Sequence, residues 1–321
     1  MGNFQYGGQA VIEGVMMRGP DEMAIAVRCP NGEIVTEKRP VASWMNGALM
    51  RTPILRGTGA LLDALILGIK ALSFSAGKAT EEEEEELTPW EITATVAVSM
   101  VLGAGLFIFL PTAAAHLTRQ MVPNLFFQNV IEGFVRIAIF FGYIAAISRM
   151  PDIQRVFQYH GAEHKVIHAY EAGEELTVAN AQRQTTLHPR CGTSFLLFVM
   201  VIKIFAFSLL PDATLFWKVI YRLGLVPFVA GISYEIIKLS GRYRRFWLMR
   251  LFIQPGLWLQ RMTTREPDDQ QVEVAIRALQ AVLPQAAPSL DVTVKEGCFQ
   301  RRKGAAEEEP AAACTAAGGA G

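Results

Sequence analysis

The segment YHGAEHKVIHAYE, residues 159–171, carries three histidines at four-residue spacing with two glutamates among them. On an α-helix, residues four apart lie one above the other with a rise of about 6 Å, so two neighbouring imidazoles can share one ion. His160 and His168 would lie about 12 Å apart along the axis, too far to close around a single metal. The spacing therefore predicts a metal site on His160 with His164, or on His164 with His168.

The pair His160 and His164 has the additional chemistry of a catalytic motif. The five residues from 160 spell H-x-x-E-H, the inverted zincin pattern, in which two histidines hold zinc and the glutamate, here Glu163, activates a water molecule. The pair His164 and His168 has Glu171 one turn beyond it as a carboxylate ligand. We favour the first pair and keep His168 and Glu171 as alternative ligands. Because short motifs also arise by chance, a solvated polar helix face is the competing interpretation.

A second motif, LHPRCGTSF at 187–195, offers the third ligand that a catalytic zinc requires. His188 and Cys191 stand in it with two residues between them, and we predict that one of them completes the site. Arg190 is a candidate catalytic residue that could stabilise an anionic substrate or transition state. For Cys191, a small buried residue at a helix start is the alternative. Zinc is the favoured divalent metal, because imidazole and thiolate are its common ligands.

Three charged residues are candidates for supporting or substrate-binding roles. Glu13 and Arg18 lie in GGQAVIEGVMMRGP, where closely spaced glycines allow tight packing or the close approach of a ligand. They are predicted to support the metal ligands and to bind an anion, with a simple ion pair as the alternative. Glu235 lies about one turn from the end of an apolar segment, so it either lines the site or is solvated at the interface.

The composition places these motifs in a membrane protein. The chain has 321 residues, 51% hydrophobic and 19% charged, with a mean hydropathy of +0.25. The segments that reach the roughly 20 apolar residues of a spanning helix lie at 91–115, 128–148, 193–210 and 217–239. Short polar loops separate the members of each pair, which predicts two helical hairpins. The formal net charge is zero, so no overall field would attract nucleic acid.

Lysine and arginine counts in the connecting segments predict the orientation. Eight of these residues precede the first span and five lie in 149–192, whereas loop 116–127 has only Arg119 and loop 211–216 has none. Both termini and the His-rich segment are therefore predicted to face the cytoplasm.

The predicted units follow one another in a simple order. They are a small β-rich cytoplasmic unit at 1–50, an interfacial or re-entrant helix at 51–80, an acidic linker at 81–90, a transmembrane hairpin at 91–148, a cytoplasmic His-rich loop at 149–192, a second transmembrane hairpin at 193–239, interfacial and cytoplasmic helices at 240–283, and a disordered tail at 284–321. In the first unit, a Pro-Asn-Gly turn indicates a hairpin, and GGQAVIEGVMMRGP could supply another strand. Charged residues interrupt the apolar stretch 53–76, which disfavours a fifth span.

Three motifs in this order, GGQAVIEGVMMRGP, YHGAEHKVIHAYE and TLHPRCGTSF, resemble the YqhQ-like family of bacterial inner-membrane proteins of unknown function, catalogued as predicted metal-dependent enzymes. The resemblance covers roughly residues 4–283. It implies a multi-span protein of the bacterial inner membrane with a metal-dependent activity, and it carries no substrate. The motif residues it covers are Glu13, Arg18, His160, Glu163, His164, His168, Glu171, His188 and Cys191.

These features predict an α-helical integral membrane protein with four transmembrane helices in two hairpins, a small N-terminal β unit and cytoplasmic helices. We expect a metal-dependent enzyme, with a hydrolase favoured, in which Glu163 acts as the general base. The alternative is a non-enzymatic membrane scaffold or transporter accessory with a structural metal or none. The lipid bilayer is the predicted partner, nucleic acid is not expected, and the substrate and oligomeric state stay open.

Overall fold

The structure is a computed structural model that describes residues 6–41, 52–79, 89–118, 121–210, 215–242 and 247–284. Most of the predicted acidic linker and the predicted disordered tail lie outside these residues, as do Cys298 and Cys314.

The N-terminal part of the described chain is a four-stranded antiparallel sheet in which sequence neighbours pair. Its strands are β1 (Gly7–Val11), β2 (Gly14–Arg18), β3 (Glu22–Arg28) and β4 (Ile34–Pro40). The predicted hairpin is confirmed, since β3 pairs with β4 and Gly32 in the turn has a φ of 84°. GGQAVIEGVMMRGP forms two strands where one was predicted, because Ile12 and Glu13 make a tight turn between β1 and β2.

Helices make up most of the remaining described residues. They are α1 (Leu55–Ala79), α2 (Pro89–Ala104), α3 (Leu110–Leu117), α4 (Leu125–Ile147), α5 (Pro151–Glu171), α6 (Val178–Gln182), α7 (Gly192–Ser208), α8 (Leu215–Arg242), α9 (Trp247–Thr263) and α10 (Asp269–Val282), with a π turn (Gly105–Phe109) joining α2 to α3. The predicted amphipathic helix near the C-terminus is α10, which begins with a capping box between Asp268 and Gln271.

Both faces of the sheet are buried, which explains the nearly continuous apolar run of β2 and β3. One face, with Val15 and Met17, packs against α5 and α10; we call this cluster the main core. The opposite face, with Met16 and Ile25, packs against Leu67 of α1; we call this cluster the α1 core. The sheet therefore joins α1 on one side to the His-rich helix α5 on the other.

Three segments of the described residues are long and apolar enough to cross a membrane: α1, Ala97–Ala114 and α4. The last two coincide with predicted spans, and these segments support a membrane protein. The other predicted spans correspond to α7, an apolar helix of 17 residues, and to α8. For α1 we expected an interfacial or re-entrant helix, and the structure has one unbroken helix of 25 residues.

An ion pair lies among the apolar helices. Glu132 and Arg136 are one turn apart on α4, and their closest nitrogen and oxygen atoms are 2.6 Å apart. Arg136 also donates from Nε to the backbone oxygen of Phe107 in the π turn, at 3.1 Å. Two acceptors thus stabilise a guanidinium in an apolar environment.

Candidate metal centre

Helix α5 positions the histidines of the centre. It begins with Pro151 at its first turn and Asp152 near its positive end, both favourable there, and Gly173 just beyond its last residue has a φ of 73°, a conformation that favours glycine. Its apolar residues, among them Tyr159 and Val166, belong to the main core. The histidines lie on the face of α5 that meets the loop before α7.

His160, His164 and Cys191 form the first group of potential ligands, with ligand atoms all within 4.8 Å of one another. The two imidazole rings, one helical turn apart, have centroids 4.5 Å apart. The Nε2 atom of His160 lies 3.2 Å from the Sγ atom of Cys191. Two nitrogens and a sulfur at this spacing are a donor set that suits zinc.

Backbone carbonyls select which tautomer the neutral rings of these histidines take. Nδ1 of His160 lies 2.8 Å from the oxygen of Thr263, and Nδ1 of His164 lies 2.5 Å from the oxygen of Thr186. A carbonyl can only accept, so both Nδ1 atoms carry hydrogen, and Nε2 is left as the basic nitrogen. A histidine that ligates a metal commonly has its other ring nitrogen held in this way.

His168, Glu171 and His188 form a second group, again with ligand atoms within 4.8 Å of one another. Nε2 of His168 faces the oxygen of Leu187 at 3.0 Å, so Nδ1 is its basic nitrogen. The rings of His168 and His188 are 4.7 Å apart, and the ring of His188 is 5.6 Å from that of His164 in the first group. The described residues therefore contain four imidazoles in a row, divided between two neighbouring groups.

This arrangement separates residues that the sequence offered for one site. Of the two candidate third ligands, Cys191 lies with His160 and His164, whereas His188 lies with His168 and Glu171. Of the two histidine pairs considered as alternatives, His160 and His164 fall in one group, whereas His168 is grouped with Glu171 and His188 and not with His164.

Glu163 lies on the flank of the histidine face. An α-helix turns about 100° per residue, which places this residue about 60° around the axis from His160. Glu163 is only 5% exposed, and its carboxylate accepts a hydrogen bond from the backbone N–H of Gly8, in β1, at 2.9 Å. The contact ties the sheet to α5 next to the first group.

Arg190 and Cys191 have structural contacts in addition to their predicted roles. The guanidinium of Arg190 forms an ion pair with Glu171 of the second group. Cys191 is the N-cap of α7, and its Sγ accepts the backbone N–H of Thr193 at 3.4 Å. Cys191 is therefore a buried residue at a helix start, as in the alternative interpretation, and at the same time a member of the first group.

Glu13 reaches α5, though not the histidine groups. It forms an ion pair with Arg155 and accepts the hydroxyl of Tyr159 at 3.3 Å. Burial, and next the charge of Glu13, raise the pKa of Tyr159 well above its usual value, and the hydrogen bond that Arg155 donates to Glu13 raises the pKa of Arg155. Glu13 itself has a φ of 50°, unusual for a residue with a side chain, in the turn that brings it to α5.

Arg18 and Glu235 both pair with α1. Arg18 lies 2.8 Å from the buried carboxylate of Asp63, and Glu235 forms an ion pair with Arg56. Neither belongs to the two ligand groups. Both stabilise the position of α1, on the sheet side and on the α8 side respectively.

Comparison with known proteins supplies a family. A family model described as a protein of unknown function, DUF1385, matches residues 52–285. The chain belongs to the DUF1385 family. It is 39% identical over 292 residues to the uncharacterized protein YqhQ of Bacillus subtilis (strain 168), an alignment that covers 87% of this chain and 92% of that protein. No solved structure matches the chain.

Two further residues of this DUF1385 family member, which the sequence did not single out, support the site. Gln260 of α9 is fully buried, accepts the backbone N–H of His188 and donates to its carbonyl, both at 2.8 Å. Gly161 lies so close to the backbone that a Cβ atom there would be 2.1 Å from the oxygen of Arg265. Gln260 could have been found from the sequence, because it is a polar residue among the apolar residues of α9. Nothing in the sequence marks the backbone carbonyls that orient the histidines.

Proposed function

We propose that the protein is a membrane-bound, metal-dependent hydrolase whose active site is the group of His160, His164 and Cys191. One observation carries the proposal: the Nδ1 atoms of both imidazoles face backbone carbonyls, while the group shares the thiol of Cys191, which lies 3.2 Å from Nε2 of His160. Ordinary surface histidines have no need of such orientation. A ligand set does, because the metal requires defined tautomers.

The donor set fits a divalent metal, with zinc favoured. Three protein ligands leave a coordination position open, as in catalytic rather than structural zinc sites. When bound, such an ion supplies Lewis-acid chemistry, polarising a carbonyl or phosphoryl oxygen and lowering the pKa of a water molecule. The chain's own contribution is to hold the two imidazoles and the sulfur of Cys191 with their ligand atoms within 4.8 Å of one another.

Glu163 is the candidate general base. In the H-x-x-E-H pattern the glutamate beside the second histidine activates the water, and Glu163 stands beside His164 in sequence, on the side of α5 that meets β1. Only one oxygen, Oε1, accepts the N–H of Gly8. A glutamine could accept the same hydrogen bond and could not take a proton, so the substitution Glu163→Gln separates the two roles.

Arg190 is the candidate group for an anionic substrate or transition state. Its ion pair with Glu171 holds the guanidinium beside the second group, two residues along the chain from His188. Because the Arg190 side chain is only 19% exposed, its ion pair with Glu171 is partly shielded from water. The pair therefore keeps the planar guanidinium in one orientation.

We also infer two membrane hairpins from the packing of the sheet. The sheet precedes α1, and α5 follows α4, yet both contribute to the main core and so lie on one side of the membrane. The chain must cross an even number of times between them. Since α10 also belongs to the main core, the same argument applies to α7 and α8. Hairpins of Ala97–Ala114 with α4, and of α7 with α8, satisfy both conditions.

Helix α1 is then the candidate span that does not cross. Its buried side, with Asp63 and Leu67, lies against the sheet, and Gln9 of β1 donates to the oxygen of Ala64 at 3.2 Å. Apolar side chains cover its outer side; they are Leu62, Leu65, Ile66, Ile69 and Leu72. A helix with one side on a sheet and an apolar outer side fits the interface of a bilayer. The basic connecting segments favour the cytoplasmic side of a bacterial inner membrane.

A non-enzymatic scaffold with a structural metal is the second candidate function. Burial favours it, because His164 and Cys191 of the first group are only 1% and 9% exposed; a structural site would in addition need a fourth protein ligand in the open coordination position. The two candidates differ in what they predict for hydrolysis, and both require metal at the first group.

Metal content of the purified full chain in detergent tests the proposal. Elemental mass spectrometry of wild type should find stoichiometric divalent metal that is lost in His164→Ala. Glu163→Gln should keep the metal and lose hydrolysis of the ester, amide and phosphate substrates screened. Wild type without metal after reconstitution would defeat the proposal, and metal without any activity would favour the scaffold.

A further inference from the structure

We infer that His168, Glu171 and His188 form a second divalent-cation site beside the first, so that the centre holds two ions. The inference deepens the proposed function, on which it rests for the first ion. Two imidazoles and one carboxylate are a ligand set that binds zinc, iron(II) or manganese(II). It is a harder donor set than that of the first group, because a carboxylate replaces the thiolate.

The orientation of His168 supports the site. Its Nε2 faces the carbonyl of Leu187 at 3.0 Å, which leaves Nδ1 as the basic nitrogen. Thr186 and Leu187 are consecutive, so one stretch of backbone orients His164 for the first group and His168 for the second.

The two carboxylate oxygens of Glu171 face different partners. Oε1 forms the ion pair with Arg190, while Oε2 lies 3.7 Å from Nε2 of His188. That distance exceeds a hydrogen bond. Two atoms bound to the same tetrahedral ion at about 2.1 Å are about 3.4 Å apart, so the pair needs only a small movement to bind one cation.

Backbone hydrogen bonds fix the position of His188. Gln260 holds both its N–H and its carbonyl. The contact from the N–H of Arg190 to Nδ1 of His188, at 3.4 Å, is at the weak end of hydrogen bonds. The backbone hydrogen bonds therefore hold the ring of His188 beside Glu171.

The two sites differ in a property that spectroscopy detects. Cobalt(II) bound by a thiolate has a sulfur-to-metal charge-transfer band in the near ultraviolet, and cobalt(II) bound by imidazole and carboxylate has none. Cys191 belongs only to the first group. The other described cysteine, Cys29, lies in the turn after β3 and belongs to neither group.

Cobalt(II) titration of the metal-depleted full chain in detergent tests the inference. We expect two equivalents, of which one has the charge-transfer band. The double variant His168→Ala/Glu171→Gln should lose the equivalent without the band and keep the other, which also shows that it is folded. Cys191→Ser should lose the band and keep the second equivalent. Glu175→Gln, a control at a carboxylate just past α5, should bind both.

The outcomes separate the two proposals. One equivalent with the band in wild type would overturn the second site and leave the first. Two equivalents that persist in the double variant would overturn the assignment of ligands. No bound cobalt would defeat the first site and the second together.

Discussion

The Nε2 atom of His160 lies 3.2 Å from the Sγ atom of Cys191, although 31 positions separate the two residues in the sequence. The histidine is on α5 and the cysteine caps α7, so two helices meet at this contact. Cys191 therefore caps α7 and is also grouped with two imidazoles whose Nδ1 atoms face backbone carbonyls.

Substitution of Cys191 by serine should weaken zinc binding at the first group by at least about 100-fold, since one of three ligands is lost. The serine hydroxyl can still cap α7, so the fold should persist. Competition with a chelating dye measures the affinity. Cys29→Ser is the matched control and should bind as wild type does; equal affinities in both variants would remove the cysteine from the site.

Substitution of Gln260 by alanine should destabilise the protein by about 2–4 kcal/mol, because the buried N–H and carbonyl of His188 lose their partners. It should also weaken the second site, since those two bonds hold the histidine in place. Chemical unfolding in detergent, together with cobalt titration, measures both effects. Gln254→Ala, at an exposed position of the same helix, should change neither.

Substitution of Gly161 by alanine should destabilise the protein by at least about 2 kcal/mol, because the new Cβ would meet the oxygen of Arg265 at 2.1 Å. The shift should also move α5 relative to the carbonyl of Thr263. Gly142→Ala is the control: nothing lies within 4 Å of a Cβ there, and alanine should be neutral or stabilising by up to about 1 kcal/mol. Similar unfolding midpoints for the two variants would refute the close approach.

Substitution of Glu132 by alanine should cost about 3–5 kcal/mol, because Arg136 keeps its charge in an apolar environment with one acceptor fewer. The double variant Glu132→Gln/Arg136→Met should recover most of that loss. Glu37→Ala removes a half-exposed pair with Arg39 in β4 and should cost less than about 1 kcal/mol. Unfolding in detergent measures all three, and equal losses for the two single variants would count against a membrane location of α4.

Cysteine labelling should report the proposed topology. In cells, Met121→Cys, in the connection before α4, should react with an impermeant maleimide from outside. Glu174→Cys, just past α5, and Asn31→Cys, in the β3–β4 turn, should react only after permeabilisation. If Asn31→Cys and Glu174→Cys lay on opposite sides, the shared main core and the even number of crossings would both be wrong.

Local features of the fold were predictable because they depend on neighbouring residues. The Pro-Asn-Gly turn predicted the β3–β4 hairpin, and the spacing of Val272, Ile276 and Leu279 predicted α10; all three side chains are buried. The apolar segments predicted a membrane protein. Periods of two and 3.6 residues arise within one element, so they can be detected without knowledge of the rest of the chain.

By itself, the sequence determined that four histidines and a cysteine lie between residues 160 and 191, and that helical spacing makes neighbouring pairs of the three on α5 available to one ion. Only the tertiary structure decided the grouping: Cys191 lies with His160, and His188 lies with His168 and Glu171. It also directed Arg18 and Glu235 to α1. The physical reason is that the path of the loop before α7 is set by long-range contacts, such as the hydrogen bonds from Gln260 and the carbonyls facing α5, which no local spacing records.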